Sequence, residues 1–159
     1  MNTLEIGNIA PDLVLVDHEG HDVTLADYLA KGPVLLYFMR TSTCAVCSNH
    51  VRDLLRSRAD LESRGVRVVV VVPEGMDAAR TTHTALGLPW PVVTGRSGTA
   101  HAAFGLTTRM FGSMQQSGSV LLDRDGRVRH AHSATVPLRA YDKPGIAAAL
   151  AALSDGEAV

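Results

Sequence analysis

Cys44 and Cys47 are the chain's two cysteines, and they stand three residues apart as Cys44-Ala45-Val46-Cys47. Thiols at that spacing can close a disulfide, ligate a metal or pack as small apolar groups. Their setting favours redox turnover. They follow the apolar run Val34 to Met39 and open a stretch of helical periodicity. At a helix N-terminus the unpaired backbone N–H groups favour negative charge, which stabilises a thiolate at Cys44. The helix end alone is too weak: lowering a thiol pKa by about two units takes ~2.7 kcal/mol, against a typical ~0.3–1 kcal/mol from a helix end. Specific donors must supply the rest. The Thr41 hydroxyl and the amides of Ala45 to Cys47 are candidates, with Arg40 close in sequence.

Residues three apart in a first helical turn have Cβ atoms roughly 5–6 Å apart, against about 3.5–4.5 Å in a disulfide. A small adjustment therefore lets the pair bond, and such a short loop is readily reduced. Cys44 is the expected attacking thiolate and Cys47 the resolving thiol. Two other readings stay open. The thiols could be buried apolar groups, or Cys44, Cys47 and His50 could hold a metal. Against the metal, His50 lies about 120° around the helix from Cys44, and no second C-x-x-C completes a tetrahedral site.

The elements that must position the pair read clearly. Leu13–Val16 and Asp22–Leu25 flank the turn 17–20 as a hairpin, and Asp27–Lys31 is a short helical turn ended by Gly32-Pro33. Val34–Met39 is a strand buried on both faces. A helix is predicted from near Cys44 to about Arg64, capped by Thr41, Ser42 or Thr43, with Val51, Leu54, Leu55 and Leu61 as its apolar face and Gly65 as its stop. Val66–Val72 is a β-branched strand, Met76–Leu86 a helix, Val92–Thr94 a short strand and Thr99–Phe104 a third helix. Ser119–Leu122 and Arg127–His132 form a second hairpin, and Gly145–Leu153 is a closing helix, with 154–159 expected to fray. This order predicts an α/β domain spanning 1–159, with a central mixed sheet covered by helices on both faces.

With 159 residues and an apolar fraction of 46%, the chain can bury an ordinary core without disulfide staples. A formal charge of −1 and sparse aromatic residues argue against nucleic-acid binding. No apolar run approaches the ~20 residues a membrane span needs. The N-terminus lacks the basic-then-apolar pattern of a secretory signal, so a cytoplasmic location is expected. Outside the pair, Arg40 is either part of the site or a solvated loop charge. His130 and His132 alternate on one strand face and could bind a metal or simply face solvent. His83 and His101 are expected at the surface, and Trp90 in packing.

These pieces, in this order, resemble the peroxiredoxins of the alkyl hydroperoxide reductase and thiol-specific antioxidant group, within the thioredoxin-like superfamily. Gly7-Asn8-Ile9-Ala10-Pro11-Asp12 is similar to the family's G-x-x-A-P-D opening. Thr41-Ser42-Thr43-Cys44 matches the T-x-x-C of its P-x-x-x-T-x-x-C motif, and Leu88-Pro89-Trp90-Pro91 its L-P-F-P segment. Ala102 to Leu106 resembles A-x-x-Y-G-V, and Ser119 to Gly126 the T-F-L-I-D-x-x-G hairpin. The likeness runs from about Ile6 to Leu153. It implies a thioredoxin-like fold in which Cys44 attacks a hydroperoxide, Cys47 resolves the sulfenic acid, and the Thr41 hydroxyl holds thiolate and peroxide. Two positions depart from the family. Tyr37 stands where the motif has proline, and Ser117 where the family has its active-site arginine. Arg40 or Arg109 could replace that arginine, with Gln115 and Gln116 as polar neighbours and Met110 to Met114 lining an entrance. Thioredoxin-type reductases carry a cis-proline at the Ser117 position, which this chain also lacks.

The leading expectation is a thiol peroxidase for hydrogen peroxide or organic hydroperoxides, without a cofactor. A cellular thiol system, thioredoxin or a low-molecular-weight thiol, would recycle it. The alternatives are a thiol–disulfide oxidoreductase acting on protein or small-molecule disulfides, and a redox-silent metal-binding or regulatory module. A homodimer stays open.

Overall fold

Alternation along the strands and 3.6-residue periodicity along the helices sort the side chains into two apolar layers on either side of one sheet. The computed structural model describes residues 5–109 and 114–157. Seven strands run β1 (Val14–Asp17), β2 (Asp22–Thr24), β3 (Val34–Phe38), β4 (Arg67–Val71), β5 (Val92–Gly95), β8 (Ser117–Leu122) and β9 (Val128–Ala134). Their order across the sheet is β2-β1-β5-β4-β3-β8-β9. The β3–β4 and β4–β5 pairings are parallel; β1–β2, β1–β5, β3–β8 and β8–β9 are antiparallel. Two further short strands, β6 (Thr108–Arg109) and β7 (Met114–Gln115), pair with each other apart from this sheet. The predicted mixed sheet is present, with both hairpins in place.

The helices are α1 (Leu25–Leu29), α2 (Ala45–Arg56), α3 (Arg58–Ser63), α4 (Met76–Leu86), α5 (Ala100–Ala103) and α6 (Lys143–Glu157), with a 3-10 turn at 137–139. Leu35, Tyr37 and Met39 point to the layer holding both cysteines, Val51, Leu54 and Leu61, together with Ile146 and Leu150 of α6. Val34, Leu36 and Phe38 point to the other, with Leu25, Tyr28, Phe104 and Leu106. Burial of each such side chain is worth roughly 1.5–3 kcal/mol, so the sheet's centre is the best-anchored part of the molecule.

Some expectations change in detail. The long helix after Cys44 is two helices, broken at Ser57, and its N-cap is Cys44 rather than Thr41, Ser42 or Thr43. The closing helix begins at Lys143 and runs on to Glu157, through most of the tail expected to fray. His101 is fully buried, not at the surface: its Nε2 donates to the Met39 carbonyl at 2.7 Å and its ring meets Phe38 edge-on. His83 is half-buried and stacks on His18. Trp90 packs in the cysteine layer, as expected.

Candidate active site

Cys47, Val51 and Leu54 recur at one-turn spacing on α2, and that stripe is pressed against the sheet. Cys47 is therefore fully buried, and Cys44, one turn earlier at the helix cap, is 6% exposed. Both are free thiols. The Cys44 sulfur caps the helix by accepting from the Cys47 amide at 3.4 Å, while the Cys44 amide donates to the Thr41 carbonyl at 3.2 Å. Helix end and sulfur thus meet in one contact.

Burial works against a thiolate at Cys44. The Cys47 side chain and amide, and the Arg40 guanidinium beside it, outweigh that penalty and hold its pKa below the ordinary thiol value. Cys47 goes the other way. Burial and the neighbouring Cys44 sulfur push it up to about 12, although its sulfur accepts from the Arg40 amide at 3.4 Å and has the Tyr37 hydroxyl within reach. One thiol is primed to ionise and its neighbour to stay protonated.

Arg40 follows the end of β3, where Met39 is fixed by its amide's bond to the Val71 carbonyl and by His101 on its own carbonyl. The Arg40 Nε is buried and has no hydrogen-bond partner among the described residues. Ser117, at the family arginine's position, is fully buried with its hydroxyl likewise unpartnered. The guanidinium beside the Cys44 thiol is that of Arg40, in the segment between β3 and α2. The Thr41 hydroxyl lies 3.4 Å from that of Thr43, and Ser42 anchors the loop by donating its amide and hydroxyl to the Glu74 carboxylate at 3.1 Å.

The other polar candidates are engaged elsewhere. Gln115 donates to the Leu106 carbonyl at 2.9 Å, and Gln116 accepts from the Thr107 amide at 3.1 Å. The Arg109 side chain and residues 110–113 lie outside the described residues, as does the Met114 side chain. His132 bonds the Arg139 carbonyl, and His130 is buried on the same strand face. Among the described residues no three His, Cys, Asp or Glu side chains gather as a metal site. His50 faces Tyr37, with Nδ1 2.6 Å from its hydroxyl, and stacks on Tyr141 at a ring-centroid distance of 4.9 Å. Tyr37 is thus the neighbour that sequence reasoning noticed only as a missing proline. Its signal is a lone hydroxyl in an otherwise apolar strand, on the face shared with Leu35 and Met39.

The AhpC/TSA family model matches residues 6–131. The chain belongs to that family. It is a peroxiredoxin-type thiol peroxidase whose two cysteines are close enough for a disulfide within one segment. A Mycobacterium tuberculosis protein assigned to the peroxiredoxins is 28% identical over 128 residues, covering 77% of this chain and 80% of that one. Wheat (Triticum aestivum) chloroplastic peroxiredoxin Q is 24% identical over 131 residues, or 80% of this chain and 58% of the relative. Among solved structures, peroxidoxin BcpB of M. tuberculosis superposes with a TM-score of 0.79 at 19% identity, over 96% and 97% of the two chains. The bacterioferritin comigratory protein of Xanthomonas campestris gives 0.71 at 20% identity, over 91% of each. These similarities establish the thioredoxin-like fold. No described helix is long and apolar enough to cross a membrane.

Proposed function

We propose that Cys44 is the attacking sulfur, Cys47 the resolving thiol and Arg40 the replacement for the arginine absent at Ser117. The Cys44 thiolate attacks the terminal oxygen of a hydroperoxide. The O–O bond breaks, the sulfur is oxidised to a sulfenic acid, and the alcohol or water leaves with the bond's electron pair and a proton. Charge grows on the leaving oxygen as that bond breaks, so a fixed cation and spare N–H donors lower the barrier. The unpartnered Arg40 Nε supplies such a donor, and the Thr41 hydroxyl, one loop turn away, is a second. The single observation that carries this reading is the Arg40 guanidinium beside a helix-capping Cys44 thiol.

Resolution gives a Cys44–Cys47 disulfide and water. A thiol system, either a thioredoxin-like protein or a low-molecular-weight thiol, then reduces the disulfide, which fits a reducing compartment such as the cytoplasm. One equivalent of hydrogen peroxide, followed by thiol counting and intact mass, tests the assignment. The reduced protein is expected to lose both thiols and about 2 Da, Cys47→Ser to retain a sulfenic acid that dimedone traps, and Cys44→Ser to stay unreacted on that timescale. A Cys44→Ser protein that consumed peroxide at the native rate would refute both cysteine roles.

A further inference from the structure

Burial leaves Cys47 with a difficulty. Burial and the neighbouring Cys44 sulfur push its pKa up, so the thiol holds its proton at neutral pH. Disulfide closure nonetheless needs that sulfur to shed its proton as it attacks. Its surroundings hold a route for that proton. Tyr37 is fully buried on β3, with its hydroxyl in reach of the Cys47 sulfur and 2.6 Å from His50 Nδ1. His50 lies three residues beyond Cys47 on α2 and is partly exposed, so its ring joins the buried phenol to solvent.

We propose that Tyr37 and His50 form a proton relay serving Cys47 during disulfide closure. The relay rests on the peroxidase reading above. The Cys47 thiol proton passes to Tyr37 Oη while the phenol's own proton passes to His50 Nδ1, so the phenol stays neutral throughout. The Cys47 electron pair forms the S–S bond, the Cys44 S–O bond breaks, and the departing hydroxide takes up a proton to become water. Cys47 is oxidised and the sulfenic sulfur reduced. The imidazolium then returns its proton to solvent, which closes the balance. Burial lowers the His50 pKa, which keeps the ring neutral and ready to accept at neutral pH.

The groups facing His50 suit a transient cation. Tyr37 comes from β3, Cys47 and Asp53 from α2, and Tyr141 from the segment before α6. Asp53 is the nearby anion, bonded by the Tyr141 hydroxyl at 2.8 Å, by Lys143 at 3.1 Å and by Arg56 at 3.1 Å. Burial opposes its charge, but those three partners outweigh it and keep the carboxyl below the usual range. A phenol at the family's proline position therefore gives the resolving thiol a proton exit.

Rapid mixing of the reduced full-length protein with hydrogen peroxide, with acid-quenched mass analysis, resolves sulfenic acid formation from disulfide closure. In Tyr37→Phe and in His50→Asn, which keeps an acceptor for the phenol but cannot hold a proton, the ratio of closure to sulfenic acid formation is expected to fall at least about tenfold. Native closure should rise with pH and level off once His50 is neutral. In His50→Asn it should keep rising about tenfold per pH unit, following the thiol itself. Native-like ratios and pH profiles in both variants would overturn the relay. Absence of the first phase in the native protein would instead sink the peroxidase reading. The relay is then judged in the Cys44→Ser background by the rate at which Cys47 couples to methyl methanethiosulfonate. That rate should be about tenfold lower with either added substitution, and equal rates would overturn it.

Discussion

Cys44 meets its stabilising groups from three directions: the Cys47 amide at 3.4 Å, the Cys47 side chain, and the Arg40 guanidinium. Neutral donors already favour the thiolate, and a cation beside a sulfur drawn out of solvent adds attraction that bulk water would screen. Arg40→Met is accordingly expected to slow sulfenic acid formation by about a hundredfold, read from the second-order rate with hydrogen peroxide. A loss of less than about threefold would mean that the charge plays little part in the transition state. The cysteine pair was legible from its spacing together with its setting, between a continuous apolar run and the start of a helical stretch. Arg40 was visible as a neighbour in sequence, but its direction depends on how β3 ends, which Met39 and His101 decide from 62 residues apart. Tyr141 and Asp53, 88 residues apart, left no local signal of their contact.

The strand that carries Tyr37 and the helix that carries the cysteines meet because each has one dominant face. The continuous apolar run of β3 and the helical spacing of Val51, Leu54, Leu55 and Leu61 were both readable, so strand and helical stretch were found, though not the break at Ser57 that ends α2. The cap was not. Ser and Thr are better caps than Cys in general, yet Ser42 is bonded to Glu74, and it is the Cys44 sulfur that accepts from the Cys47 amide in the first turn. The beginning of β8 is also tightly specified. Gly118 pairs with Phe38, and a Cβ there would stand 2.1 Å from the His132 carbonyl oxygen. Gly118→Ala should therefore cost about 2 kcal/mol or more, seen as a lower urea midpoint with an unchanged slope. A midpoint equal to the native one would show that β9 can yield at this point.

The molecule as a whole carries several histidines that folding holds neutral. His101 has its pKa lowered to about 4 by burial, the bond to the Met39 carbonyl only partly opposing this, and burial lowers His50 and His130 too. The unfolded chain binds more protons than the folded one between the lowered values and the ordinary value near 6.5. Stability is therefore fully present above that ordinary value and is lost as pH falls from about 6.5 towards 4. For His101 alone the loss amounts to about 3 kcal/mol. His101→Gln retains an amide donor for Met39 and removes the titration, so its unfolding free energy should fall less steeply over that window. An unchanged slope would assign the acid sensitivity to other groups. A surface histidine was expected here because His101 falls on a predicted helix and histidine is only moderately buried on average. The overriding term is tertiary: α5 packs His101 against Phe38 and the end of β3.

Titrating the Cys44 thiol is the most direct check on what the geometry says this site does. In Cys47→Ser the only thiol left is Cys44, and serine keeps a hydroxyl donor at the neighbouring position. Thiolate absorbance followed against pH should then give a Cys44 pKa below the ordinary thiol value, rising by about one unit or more when Arg40→Met is added. A Cys44 pKa at or above the ordinary value, indifferent to Arg40, would contradict the assignment of Cys44 as the ionised, attacking sulfur.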